Sequence, residues 1–87
     1  MNWTLSIKSK VEKALNKFPR QDYEAIRDTI AAMGADPFSS DTEKMKGEES
    51  YKRRVRSYRI KFDLNQQNRT IDIYSIERRA TNTYRKR

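Results

Sequence analysis

The sequence predicts an α+β fold: an N-terminal strand, a helix hairpin, then a three-stranded antiparallel meander, in the order β-α-α-β-β-β. Two observations support it. Apolar residues fall at every second position near the N-terminus and again from Tyr51 onward, and at helical spacing over the stretch between Val11 and Met33. Turn-forming residues, Pro19, Gly34 and the run "NQQN" at 65–68, punctuate the segments where a two- or three-element packing needs its connections. At 87 residues, 34% hydrophobic and 37% charged, the chain has material for one domain, 1–87, with a thin core.

Trp3, Leu5 and Ile7 alternate with Asn2, Thr4 and Ser6, the pattern of a strand with one buried face. Val11, Ala14, Leu15 and Phe18 follow at helical spacing behind Ser9, the expected N-cap, and Pro19 closes that helix. Tyr23, Ile26, Ile30 and Met33 mark one face of a second helix, with Gly34 expected to end it in a left-handed conformation. Residues 35–49, "ADPFSSDTEKMKGEE", show no period and read as a long surface loop. From there the period is two. Tyr51, Arg53 and Val55 alternate with Lys52, Arg54 and Arg56; Tyr58, Ile60, Phe62 and Leu64 alternate with Arg59, Lys61 and Asp63; Ile71 and Ile73 alternate with Asp72 and Tyr74.

Charge divides the chain more sharply than composition does. Residues 1–49 carry eight Lys/Arg against nine Asp/Glu, while residues 50–87 carry twelve against three, so nets of −1 and +9 make up the overall +8. The stretch "YKRRVRSYR" at 51–59 alone holds five basic side chains in nine positions. On the wet face of a meander, Lys52, Arg54, Arg56 and Arg59 are expected to form a basic floor. Like charges facing one another across a sheet are destabilising, which an ordinary solvated face avoids by mixing signs. A bound polyanion, most simply nucleic acid, accounts for that cost. An anionic membrane surface fits less well, because basic membrane-surface segments are amphipathic helices and this half reads as strands. With no Cys and no His, thiolate and imidazole metal sites and the commonest general base are excluded, so neither metal nor cofactor is expected. The N-terminal residues lack the pattern of a secretory signal, no stretch is apolar enough to span a bilayer, and a cytoplasmic location is expected.

The order strand, helix, helix, strand, strand, strand, together with "DP" after the second helix, "MKG" before the basic strand, "YKRRVRSYR" and the terminal "ERRATNTYR", resembles the RelE/ParE toxin superfamily across essentially the whole chain. The resemblance implies the toxin of a type II toxin–antitoxin system, neutralised by a cognate antitoxin protein. In the RelE branch it implies an endoribonuclease, an mRNA interferase that cuts mRNA on the ribosome, in the A site of the small subunit, without metal. In the ParE branch it implies a DNA gyrase inhibitor with no nuclease activity; a non-catalytic RNA-binding protein is the further alternative. Carried onto this sequence, the RelE pattern makes Lys52, Arg54, Arg59, Arg78 and Tyr84 the catalytic set. Lys52 is the base candidate, since an arginine stays charged, with Glu48 and Glu49 as alternatives. Arg54 and Arg59 would clamp the scissile phosphate, Arg78 would serve the leaving oxygen with Arg79 as its competitor, and Tyr84 would stack on a base or hold the 2′-hydroxyl. Arg56, Lys61, Arg79 and Lys46 are expected RNA contacts. Arg56 stands where the family often has glycine, and Arg54 where it often has a second lysine.

Overall fold

Alternation in four segments and helical spacing in two produce a single mixed sheet with helices on one side. The structure is a computed structural model, which describes residues 3–38, 42–45 and 50–78. The elements are β1 (Thr4–Ile7), α1 (Ser9–Leu15), α2 (Arg20–Ala35), β2 (Thr42–Lys44), β3 (Ser50–Val55), β4 (Tyr58–Asn65) and β5 (Thr70–Arg78). The strands lie in the order β1-β5-β4-β3-β2. β1 runs parallel to β5, and the other pairs are antiparallel. The α+β class is as the periodicity predicts, with two additions to the expected meander. β2 occupies part of the stretch read as loop, and β1 joins the same sheet at its far edge.

Burial follows the apolar phase. Val11 and Leu15 of α1 and Ile26, Ile30 and Met33 of α2 pack on Tyr51, Tyr58, Ile60, Phe62, Leu64, Ile71 and Ile73 of the sheet, all of them buried. Ile26, Ile30 and Met33 recur at the spacing that keeps one helix stripe facing inward. An aromatic chain closes the core at the end near the β4–β5 turn: Trp3 meets Phe38 edge-on at 6.3 Å, Phe38 meets Tyr51 at 5.7 Å, and Tyr51 stacks on Phe62 at 5.7 Å. The opposite sheet face carries no helix among the described residues.

Several local expectations change. Lys8, not Ser9, holds the N-cap position of α1, and no side chain caps it. The helix ends at Leu15, so Phe18 lies beyond it, stacked on Tyr58 at 4.7 Å. Gly34 does not end α2. It sits within the last turn, the helix runs to Ala35, and the amide of Asp36 donates back to the Ala32 carbonyl. The Gly34 carbonyl instead accepts the Trp3 amide at 2.7 Å, tying the entry of β1 to the end of α2. The β4–β5 turn falls at 66–69 rather than 65–68. Arg69 in that turn has φ 52° and lays its guanidinium 4.6 Å from the Trp3 ring centre. No helix among the described residues is long and apolar enough to cross a membrane.

Candidate nucleic-acid interface

The open face of β3, β4 and β5 is built from the residues that alternate with the core. Its rows follow from the strand register. Lys52 faces Lys61, which faces Ser75; Arg54 faces Arg59, which faces Glu77; Ser50 faces Asp63, which faces Asp72. Directly opposed side chains on one face have β-carbons about 5 Å apart. Lys52 and Lys61 are thus held close to one another, as are Arg54 and Arg59.

Carboxylates compensate this face unevenly. Lys61 Nζ lies 3.0 Å from Glu77 Oε2, and Lys52 Nζ lies 3.7 Å from Glu43 Oε1 on β2. Asp63 and Asp72 oppose one another toward the β4–β5 turn. Neither Arg54 nor Arg59 has a carboxylate partner among the described residues. The face is therefore graded: at the end beside the β3–β4 turn are two arginines that form no ion pair among the described residues, Glu77 in their row reaching Lys61 instead, with ion-paired lysines in the middle and carboxylates at the far end. At the arginine end two guanidiniums offer forked donors of a geometry that suits phosphate oxygens.

Arg56 and Arg78 do not join that face. Arg56 lies in the β3–β4 turn with φ 53°, a left-handed conformation that glycine adopts without strain, which is the physical sense of the glycine expected there. Its Nε donates to Asp22 Oδ1 in the first turn of α2 at 2.8 Å. Tyr58 donates its hydroxyl to Asp22 Oδ2 at 2.9 Å, so one carboxylate grips both the turn and the following strand. Arg78 faces Tyr58 in the register and lies 5.8 Å from its ring centre. Burial, and then the Asp22 hydrogen bond and charge, push the Tyr58 phenol above its ordinary range, against the opposing pull of Arg78 and Arg56. The cause of Arg78's placement is a β-bulge. The register slips between Lys61 and Phe62, leaving Tyr74 as an extra residue in β5 and reversing the phase beyond it.

Of the sequence-derived candidates, Lys52, Arg54, Arg59 and Lys61 are brought together. Arg56 and Arg78 stand at the same end of the sheet on its helix side. Tyr84, Arg79 and Lys46, with the alternatives Glu48 and Glu49, lie outside the described residues. Sequence reasoning missed Glu77 and Glu43, whose positions depend on the bulge and on β2. It also passed over Arg53, which lies on the apolar phase opposite Ile60. Its Nε and Nη1, and the Thr42 Oγ1 across from it, are buried without hydrogen-bond partners among the described residues. Unpartnered buried donors are costly.

No protein-family model matches the sequence, and no curated protein matches it. Solved structures do match the fold. The archaeal RelE in a RelE–RelB complex from Pyrococcus horikoshii is similar with a TM-score of 0.81 at 23% identity, over 92% of this chain and 98% of that one. The toxin–antitoxin complex RelBE2 from Mycobacterium tuberculosis matches with a TM-score of 0.79 at 16% identity, over 91% and 100% of the two chains. A YoeB/ParE toxin from Agrobacterium tumefaciens matches with a TM-score of 0.74 at 16% identity, over 86% and 96%. From its strand order through its helix layer, this chain has the fold of the RelE toxins.

Proposed function

We propose that this protein is the toxin of a type II toxin–antitoxin pair and acts as a metal-independent endoribonuclease on ribosome-bound mRNA, in the cytoplasm. The observation that carries the reading is the Arg54–Arg59 pair, directly opposed across β3 and β4 and without a carboxylate partner among the described residues. Two guanidiniums held together at a stability cost are suited to the charge that grows on a phosphate as it becomes pentacoordinate. In such a cleavage the 2′-oxygen attacks the neighbouring phosphorus and the 5′-oxygen leaves, giving a 2′,3′-cyclic phosphate and a 5′-hydroxyl. Lys52 is the assigned base for the 2′-hydroxyl, with the Glu43 carboxylate, 3.7 Å from its Nζ, placed to carry the proton. Arg78, which reaches the Arg54–Arg59 end of the sheet from its helix side, is assigned to the departing 5′-oxygen together with Tyr84 and Arg79, and Lys61, Arg56 and Lys46 are assigned as RNA contacts. The fold's occurrence in complexes with RelB supports a cognate antitoxin as the second partner.

The test is single-turnover cleavage of mRNA at saturating ribosome, beside a binding curve for each variant. Arg54→Ala and Arg59→Ala are each expected to slow cleavage by about 10²- to 10³-fold while weakening binding modestly, because the lost charge acts on the transition state. Lys10→Ala, on the exposed side of α1, leaves both unchanged. Cleavage at the unmodified rate in both arginine variants removes the catalytic assignment. A protein that leaves mRNA intact and inhibits gyrase instead is of the ParE kind, the alternative that the YoeB/ParE match supports.

A further inference from the structure

Tyr74 is an aromatic residue on the face that carries the cations, and the core does not use it. Asp72 lies on the open face, Ile73 on the core face, and the bulge turns both Tyr74 and Ser75 back to the open face before Ile76 returns to the core. Its hydroxyl is 2.6 Å from Ser50 Oγ on β3 and 4.0 Å from Met45 Sδ. β5 and β3 are separated by β4, so the two α-carbons stand about 10 Å apart at ordinary strand spacing. A tyrosine covers that distance only with its ring extended along the sheet, across β4, rather than standing up from it. Ser50, on the same face, is 1% exposed, as expected of a residue roofed by that ring. Tyr74 itself is partly buried rather than fully covered.

The result is a flat aromatic surface, anchored at its far end, on a face otherwise made of charged side chains and serines. It lies about one residue row from Lys52 and Lys61, and about 10 Å along the strands from the Arg54–Arg59 pair. One nucleotide spans such a distance. We propose that Tyr74 is a nucleobase-stacking platform that holds one base of a single-stranded RNA while the adjoining phosphate sits between Arg54 and Arg59. This rests on the RNA reading above and adds to it a residue that sets which nucleotide is held. Every base has a π-face, so the platform fixes position and register with little demand on base identity. The Ser50 hydrogen bond keeps the ring from swinging and so reduces the entropy lost on stacking.

The test uses a trinucleotide RNA with 2′-O-methyl sugars, which lack the attacking hydroxyl, and a set in which each base in turn is replaced by an abasic site. Affinity is measured at low ionic strength by fluorescence anisotropy. For the unmodified protein, one abasic position is expected to weaken binding by about 5- to 100-fold. Tyr74→Leu weakens the intact RNA by a similar factor and no longer senses that abasic site. Tyr74→Phe keeps the ring and most of the affinity. In parallel, Tyr74 ring protons of the unmodified protein shift upfield in NMR spectra with intact RNA and not with the abasic one, a readout that needs no variant to fold. RNA binding that senses no abasic site, or Tyr74→Leu sensing it as the unmodified protein does, overturns the platform and leaves the RNA reading standing. An unmodified protein that does not bind RNA at all overturns both.

Discussion

Replacing Asp22 by alanine removes the one carboxylate that holds Arg56 and Tyr58 together. The two halves of that grip differ in value. Tyr58 is buried, so its hydroxyl is left without a partner and without water, a loss of about 1–3 kcal/mol. The Arg56 side chain is 49% exposed, so solvent screens its ion pair and its loss adds about 0–1 kcal/mol. Asp22 also lies in the first turn of α2, where a negative charge contributes a further few tenths of a kcal/mol, about 0.3–1 at most. Asp22→Ala is therefore expected to cost about 2–4 kcal/mol. In a domain of this size each kcal/mol lowers the melting temperature by about 4–8 °C, so the shift is large. The assay is urea unfolding followed by circular dichroism for the unmodified protein, Asp22→Ala, Tyr58→Phe and the double variant. With phenylalanine at 58 there is no hydroxyl to strand, so Asp22→Ala should then cost only about 1 kcal/mol, a coupling of about 1–3 kcal/mol. Equal costs in both backgrounds, within about 0.5 kcal/mol, would refute the claim that the Tyr58 hydroxyl carries most of the effect.

Other expectations follow from the same geometry. The raised Tyr58 phenol means that its contribution to stability is fully present below the ordinary tyrosine value of about 10 and is lost as pH rises through the higher folded-state value; urea midpoints taken on either side of it should fall more steeply for the unmodified protein than for Tyr58→Phe. Because Arg56 has φ 53°, Arg56→Gly should be more stable than Arg56→Ala by about 1 kcal/mol in the same unfolding assay, since both lose the Asp22 pair and only glycine relieves the backbone. Glu77→Gln releases Lys61 and removes a negative charge from the open face, so RNA binding should tighten and the slope of log affinity against log salt should steepen by up to about one, read from titrations across a salt series. Ile26→Ala empties a fully buried site between α2 and the sheet and should cost about 2–5 kcal/mol by the urea assay.

The alternation of Tyr58, Ile60, Phe62 and Leu64 and the helical stripe of Ile26, Ile30 and Met33 were enough to read the α+β class, because burial on one face writes itself into the period of the sequence. Lys52, Arg54, Arg59 and Lys61 were legible as one face for the same reason. What escaped has its cause in pairing between distant segments. "TEK" at 42–44 has no apolar alternation and is a strand through its hydrogen bonds to β3. The bulge at Tyr74 leaves no mark in the sequence, yet it exchanges the faces of Glu77 and Arg78 and so decides which one joins the cations. Arg56 continues the basic alternation on paper, but the chain is already turning there, and Asp22, far away in sequence, takes up its charge. Tyr74 did leave a signal, an aromatic residue on the polar phase of a strand, where the core offers no reason for it.

The parallel pairing of β1 with β5 also sets a clock on assembly. Thr4 pairs with Thr70 and Ile7 with Ile73, so of the five strands of this sheet the earliest made pairs with the latest made. At the usual pace of chain growth, about 5–20 residues per second, β1 waits about 3–13 s for that neighbour to exist. Local helix formation takes microseconds or less, so α1 and α2 can sample their helices, without holding them, long before the sheet that covers their apolar stripe exists. Closing so long a loop also makes the step slow relative to the hairpins β3–β4 and β4–β5. During that interval a nascent chain exposes Ile26, Ile30 and Met33 to whatever binds an apolar helix face, while the strands bearing Arg54 and Arg59 have yet to be made.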